Sequence, residues 1–269
     1  SDYNLIDVRA SNAPEVAVTD EYSAVVTHGS SGDDFIMGRA GNDVIYAHGG
    51  DDIVPSGAGD DIVFGGHGND RLQGDAGSDV IYGEAGDDTI VATVGDGDDH
   101  YDGGEGSDTL DVTISVANTT IDFVKGTAES ADIGHDTLHK MENFKGGGGD
   151  DKVILDASVN RIETGGGIDT ISTSAQAFTG GENARSDGDD DLDGGDGRDL
   201  YDLQSTTTSN VVDMRAQTAS GSEIGNDKFK NIEDVTGGSK ADIIIVDDAV
   251  NTIRGMDGDR IRVLQNGTG

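Results

Sequence analysis

The chain has 269 residues, of which 33% are hydrophobic and 26% charged, and its formal net charge is -37. A chain so acidic and so poor in apolar residues buries only a thin core and repels itself unless cations neutralise it, which excludes a thick-cored globular enzyme. The 17 Lys and Arg argue against a phosphate-backbone partner, and the absence of Cys excludes disulfides, thiolate metal sites and a Cys nucleophile.

The acids are 44 Asp against 10 Glu, beside 43 Gly, a composition that suits turns and argues against helical bundles and doubly wound α/β folds. The longest apolar runs are of about four residues, as at Ile243–Val246, far short of a membrane span. Residues 1–28 hold two short apolar patches, Val16-Ala17-Val18 and Val25-Val26, and are expected to form a capping segment. The opening Ser1-Asp2-Tyr3-Asn4 lacks a signal-peptide layout and Asn266-Gly267-Thr268-Gly269 lacks a tail pattern, so the chain is expected to be an excerpt of a longer protein, truncated at its C-terminus.

From Gly29 the chain reads in nines: GSSGDDFIM, GRAGNDVIY, AHGGDDIVP, SGAGDDIVF, GGHGNDRLQ, GDAGSDVIY, GEAGDDTIV. The fourth place is always Gly. The sixth is always Asp (Asp34, Asp43, Asp52, Asp61, Asp70, Asp79, Asp88), and the eighth is always aliphatic, from Ile36 to Ile90. After an insertion the phase resumes with Gly97/Asp99/Tyr101 and Gly106/Asp108/Leu110. Gly permits the positive φ of tight turns, and a triplet such as Asp-Ile-Val turns one aliphatic side chain inward between two outward neighbours.

This pattern resembles the RTX family, whose nonapeptide G-G-x-G-x-D-x-U-x binds Ca²⁺ in a parallel β-roll. The resemblance is tight over residues 29–111 and looser beyond. It implies one strand and one turn per nonapeptide, two nonapeptides per coil, and multiple Ca²⁺ ions between stacked turns, with the sixth-place Asp residues as ligands and turn carbonyls completing the shell. Every second Asp then stacks, as in Asp34, Asp52, Asp70 and Asp88, at the strand spacing of about 4.8 Å. Unpaired carboxylates at that distance repel by about 1–3.5 kcal/mol per neighbour. A divalent ion in each gap reverses the sign, and hard oxygen ligands at flexible distances favour Ca²⁺ over Mg²⁺.

Residues 97–171 align without gaps to 188–262, an offset of 91, so a module was duplicated. Asp151 and Asp169 in the first copy and Asp190 and Asp199 in the second extend the ligand set, with sites expected near Asp151/Asp169 and Asp190/Asp199. The second copy has Lys240 for Gly149 and Arg260 for Asp169, so residues 240–269 should bind fewer ions and slip one residue out of phase, with Ile261 and Val263 inward. Residues 112–148 and 203–239 show no turn Asp ladder and read as wider coils or an excursion rejoining at Phe144 and Val235. The expected domains are 1–28, a β-roll over 29–111, and irregular solenoid modules over 112–187 and 188–269.

His135 and His139 stand four apart, a spacing used by helical zinc sites, yet neither the Glu of H-E-x-x-H nor a helical pattern accompanies them, and they read as surface residues. No Ser–His–Asp arrangement or cleft carboxylate pair stands out, so the chain is not expected to be an enzyme. Outward Tyr46, Phe64 and Tyr82 form a ladder expected to be covered by residues 1–28, by a second copy of the chain or by a neighbouring domain.

The fold expected is all-β, a right-handed parallel β-roll passing into an irregular β-helix solenoid. The function expected is a calcium-binding structural or adhesive part of a secreted or cell-surface bacterial protein, of adhesin, matrix or surface-layer type, folding on extracellular calcium. The resemblance implies type I secretion. The alternative is a non-catalytic folding, secretion or polysaccharide-binding module of a larger secreted enzyme or toxin. Neither nucleic acid nor membrane insertion is expected.

Overall fold

A computed structural model describes residues 4–7, 16–18, 25–174, 187–249, 251–256 and 258–263. Among the described residues there is no helix, and none that is long and apolar enough to cross a membrane. The chain divides into two units, residues 1–117 with 126–145, and residues 118–125 with 146–269.

In the first unit each nonapeptide supplies one short strand, and successive strands fall alternately in two parallel sheets. One sheet runs Asn4–Asp7, Val25–His28, Val44–Gly49, Ile62–His67, Val80–Ala85, His100–Glu105, Gly134–His139. The other runs Val16–Val18, Phe35–Met37, Ile53–Pro55, Arg71–Gln73, Thr89–Val91, Thr109–Asp111, Asn143–Lys145. The register places Ile45 beside Val63 and Val63 beside Ile81, one coil apart. Because side chains alternate across a strand, the eighth-place Ile36, Ile45, Val54, Val63, Leu72, Ile81 and Ile90 all lie fully buried. This is the parallel β-roll.

The second unit repeats the plan. One parallel sheet joins Thr120–Asp122, Lys152–Ile154, Thr170–Ser172, Leu200–Asp202, Asp234–Thr236 and Ile253–Arg254. The other joins Arg161–Glu163, Asp191–Asp193, Gly225–Lys230, Thr218–Gly221, Asn210–Asp213, Ile243–Val246 and Arg260–Val263, with Thr218–Gly221 antiparallel to both neighbours. Ile121, Val153, Ile171, Tyr201 and Val235 fill its interior from one sheet, and Ile162, Leu192, Phe229, Val212 and Ile244 from the other.

The two excursions are hairpins, Thr127–Ser130 against Gly134–His139 and Thr218–Gly221 against Gly225–Lys230. The chain rejoins at Phe144, beside Leu110, and at Val235, beside Tyr201. The last strand pairs Ile244 with Ile261 and Val246 with Val263, one residue out of step with the nonapeptide period, but Ile261, expected inward, is exposed.

The domain boundaries differ from the sequence expectation, because strand pairing rather than contiguity sets them. Asn143–Lys145 returns to Thr109–Asp111 and so belongs with the roll, whereas Thr120–Asp122 pairs with Lys152–Ile154 and belongs to the second unit. Residues 175–186 around the expected boundary at 187 lie outside the described residues. The described strands of the first 28 residues do not fold over the aromatic ladder: they extend the two sheets, adding two strands to one and one to the other. The rest of that segment, residues 1–3, 8–15 and 19–24, lies outside the described residues.

Tyr46, Phe64 and Tyr82 cover one another instead. Their ring centroids stand 4.8 and 5.1 Å apart with planes within 10°, His28 stacks on Tyr46 at 4.9 Å, and all three rings are half-buried. Parallel in-register pairing brings equivalent places to strand spacing, which is also ring-stacking distance.

Candidate metal centre: the aspartate ladder

All thirteen sixth-place aspartates, from Asp34 to Asp199, are buried, with none more than 4% exposed. One oxygen of each such carboxylate, from the second coil on, ties consecutive coils together. The N–H of Asp34 donates to Oδ1 of Asp52 (2.7 Å), Asp52 to Asp70, Asp70 to Asp88 and Asp88 to Asp108 (each 2.8 Å). A second column runs Val25, Asp43, Asp61, Asp79, Asp99 at 2.7–2.8 Å. In the second unit Asp151 donates to Asp169 (2.7 Å), Asp169 to Asp199 (2.8 Å) and Asn160 to Asp190 (2.8 Å).

The other oxygen has no such use. Oδ2 of Asp52, Asp61, Asp70, Asp79, Asp88, Asp108, Asp151, Asp169, Asp190 and Asp199 is buried without a hydrogen bond. A buried, unpaired carboxylate oxygen is among the costliest groups a fold can hold. What lies beside it is informative. A Cβ added at Gly65 would overlap both Oδ2 of Asp70 and the carbonyl oxygen of Gly83, one coil on. Gly38, Gly83, Gly103, Gly146 and Gly194 have the same two neighbours, their own motif's Asp Oδ2 and a carbonyl of the next coil. First-place glycine thus keeps open a space bordered by a carboxylate oxygen and a carbonyl oxygen. An all-oxygen donor set of this kind fits a hard cation with tolerant geometry, Ca²⁺ before Mg²⁺.

Electrostatics agrees. Burial, then the neighbouring carboxylates, pushes Asp52 up to about 7, Asp79 to about 8 and Asp88 to about 7, with the backbone hydrogen bonds only partly offsetting this. Asp151 likewise rises to about 7, through burial and Asp169. Without a cation these carboxylates titrate around neutral pH instead of being fully ionised there; a divalent ion in each gap would supply the compensating charge.

Where a coil lies beneath it, fourth-place glycine is required by both backbone and packing. Gly86 has φ 140°, and a Cβ on it would overlap the carbonyl oxygen of Gly68 one coil below. Sequence reasoning missed the fifth place. Oδ1 of Asp33, Asn42, Asp51, Asp60, Asn69 and Asp87 accepts the N–H of the fifth-place residue one coil later, at 2.8–3.1 Å, so a second ladder runs opposite to the first. The recurrent short polar residue at that place was its signal.

The excursions do carry ladder acids, contrary to expectation. Asp99 donates to Asp136 Oδ1 (3.0 Å) and Asp108 to Glu142 Oε2 (2.9 Å); Asp190 donates to Asp227 and Asp199 to Glu233, both at 3.1 Å. The tripeptides Gly134-His135-Asp136 and Gly225-Asn226-Asp227 preserve the Gly-x-Asp of the motif, which the broken period concealed. Asp190 and Asp199 share no ladder step: Asp199 follows Asp169, and Asp190 is followed by Asp227, because adjacent nonapeptides lie on opposite sheets. At the end of the second unit Asp259, not Arg260, accepts the N–H of Asp242 (2.9 Å), a consequence of the one-residue slip. Both oxygens of Asp242 are already bonded, to the N–H groups of Asn210 and Gly238. His135 and His139 sit exposed on a strand, His139 bonded to Asp102 (2.9 Å) and His135 facing Glu129 (3.9 Å).

The family model of the RTX calcium-binding nonapeptide repeat matches the chain in four copies, at residues 28–63, 64–96, 91–110 and 142–171. The chain carries RTX calcium-binding repeats. No curated protein matches it. RTX nonapeptide repeats bind multiple Ca²⁺ ions, and the unpaired Oδ2 atoms of the ladder are oxygen donors of the kind such an ion takes. The RTX matches end at residue 171, whereas the hydrogen-bonded ladder continues to Asp199 and Asp227.

Proposed function

We propose that this RTX array is a calcium-folded structural module of a secreted bacterial protein, non-catalytic and of the adhesive, matrix or surface-layer kind. The observation that carries the reading is the ladder of buried Asp Oδ2 atoms without hydrogen bonds, repeated in both units. A fold whose interior is lined with unpaired carboxylates forms only where calcium is plentiful. In calcium-poor cytosol the chain stays extended and exportable, and it sets outside the cell. Repetition of one motif along the chain suits a spacer or lattice element.

The test is far-UV circular dichroism of the full chain. In chelator the spectrum should be largely disordered; millimolar Ca²⁺ should give β-structure, and Mg²⁺ should not. A cooperative folded baseline in chelator would refute the reading. We further propose that the chain self-associates through the outer edge of the Tyr46, Phe64 and Tyr82 stack, whose rings are only half-buried. Phe64→Asp should abolish calcium-dependent oligomers in sedimentation velocity while leaving calcium-driven folding in place; unchanged oligomers would remove the stack from the interface.

A further inference from the structure

The second unit holds a group of acids that the nonapeptide pattern does not explain. Asp187, Asp190 and Asp227 are each at most 2% exposed, and one oxygen from each lies within 4.8 Å of the others. Asp190 is a sixth-place ladder residue. Asp187 stands in the third place of the same motif, and Asp227 comes from the hairpin strand Gly225–Lys230 that closes the column. Neither oxygen of Asp187 has a hydrogen bond, nor does Oδ2 of Asp190. Oδ2 of Asp227 accepts the hydroxyl of the fully buried Tyr201 at 2.7 Å.

A third-place carboxylate that only lined a turn would face solvent. Asp187 instead points both oxygens into a closed, acidic interior. We infer that Asp187, Asp190 and Asp227 form a three-carboxylate site for a hard cation, in which Asp187 adds a further carboxylate to the Asp190–Asp227 step of the ladder, whereas the gaps beside the first-place glycines offer one unpaired carboxylate oxygen beside a carbonyl. Its higher charge makes it the tightest calcium site of the second unit, in the copy whose Lys240 and Arg260 mark it as weakened elsewhere. The first copy has the counterparts Asp96, Asp99 and Asp136, but there Asp96 Oδ2 accepts the N–H of Thr93 and the Tyr101 hydroxyl takes Asp99 Oδ2 (2.6 Å), leaving fewer oxygens free. The inference rests on the calcium-folding reading, and its test separates the two.

Tyr201 makes the site observable, since a terbium ion held by Asp227 would take excitation from the adjoining ring. In a full chain carrying Tyr3→Phe, Tyr22→Phe, Tyr46→Phe, Tyr82→Phe and Tyr101→Phe, in which Tyr201 is the remaining tyrosine, terbium titration should give tyrosine-sensitised emission. Adding Asp187→Asn should move the midpoint at least about tenfold toward higher terbium while calcium-driven circular dichroism is retained. Adding Tyr201→Phe should abolish the emission and leave calcium-driven folding intact, which keeps the test valid if Asp187→Asn fails to fold. An unshifted midpoint in Asp187→Asn, or emission persisting once Tyr201 is also replaced, would overturn the site while leaving calcium-dependent folding standing. A parent chain whose spectrum ignores calcium would instead overturn the functional reading.

Discussion

Asp70→Asn should act in opposite directions with and without calcium. Asn preserves the Oδ1 acceptor for the N–H of Asp52 (2.8 Å) but removes the charge and replaces the unpaired Oδ2 with an amide nitrogen. In the calcium-free fold the Asp70 pKa is raised from 3.8 to about 6, by burial first and then by Asp51 and Glu84. Holding Asp70 ionised at pH 8 therefore costs that fold about 3 kcal/mol, at about 1.4 kcal/mol per tenfold. The substitution relieves this, so the calcium-free variant should be more stable than the parent by up to about 3 kcal/mol. With calcium, one carboxylate ligand is lost from a site that adjoins a carbonyl, and stability should fall by about 2–3 kcal/mol at saturating ion, the scale of one charge pair at a few ångströms in a partly screened site. The calcium-free midpoint is accessible by titration with trimethylamine N-oxide, which favours compact states, and the calcium-bound one by urea, both followed by circular dichroism. A change of the same sign in both titrations would refute the claim that Asp70 is held against its own repulsion by a cation.

The pH dependence has a definite sign. The folded pKa values of Asp52, Asp79 and Asp88 lie at about 7, 8 and 7, above the 3.8 of the unfolded chain, so the calcium-free fold is least penalised below about pH 4 and loses stability as pH rises toward 8. Calcium-depleted protein should show more β-structure at pH 5 than at pH 8, and calcium uptake at pH 7 should release protons measurable in weakly buffered solution; a pH-independent spectrum would contradict the ladder electrostatics. Gly86→Ala should cost about 3 kcal/mol or more of calcium-bound stability in urea melts, from its φ of 140° and the overlap with Gly68. Gly32→Ala, where nothing lies within 4 Å of the added atom, should stay within about 0.5 kcal/mol, and equal losses at the two sites would show that stacking does not set the glycine requirement.

The nine-residue period determined most of this protein by itself. A Gly turn, an Asp after it and an inward aliphatic are local demands, met within one nonapeptide, so Ile36 to Ile90 and Asp34 to Asp108 could be placed by counting. Columns follow as well, since any strict period with two strands per coil stacks every second motif. Tertiary pairing alone decided what happens where the count breaks. Asp136 and Asp227 enter the columns only because a hairpin returns each of them 37 residues after Asp99 and Asp190. Asp259 replaces Arg260 because the last strand slips by one, and residues 118–125 change units because their strand partner lies at Lys152–Ile154. The aromatic rings found their cover in one another, and Asp187 its neighbour Asp227, through contacts between coils rather than along the chain. The physical reason is that a repeat fixes its own geometry, while an excursion's length and register are settled by whichever strand edge it can pair with and whatever interior it can fill.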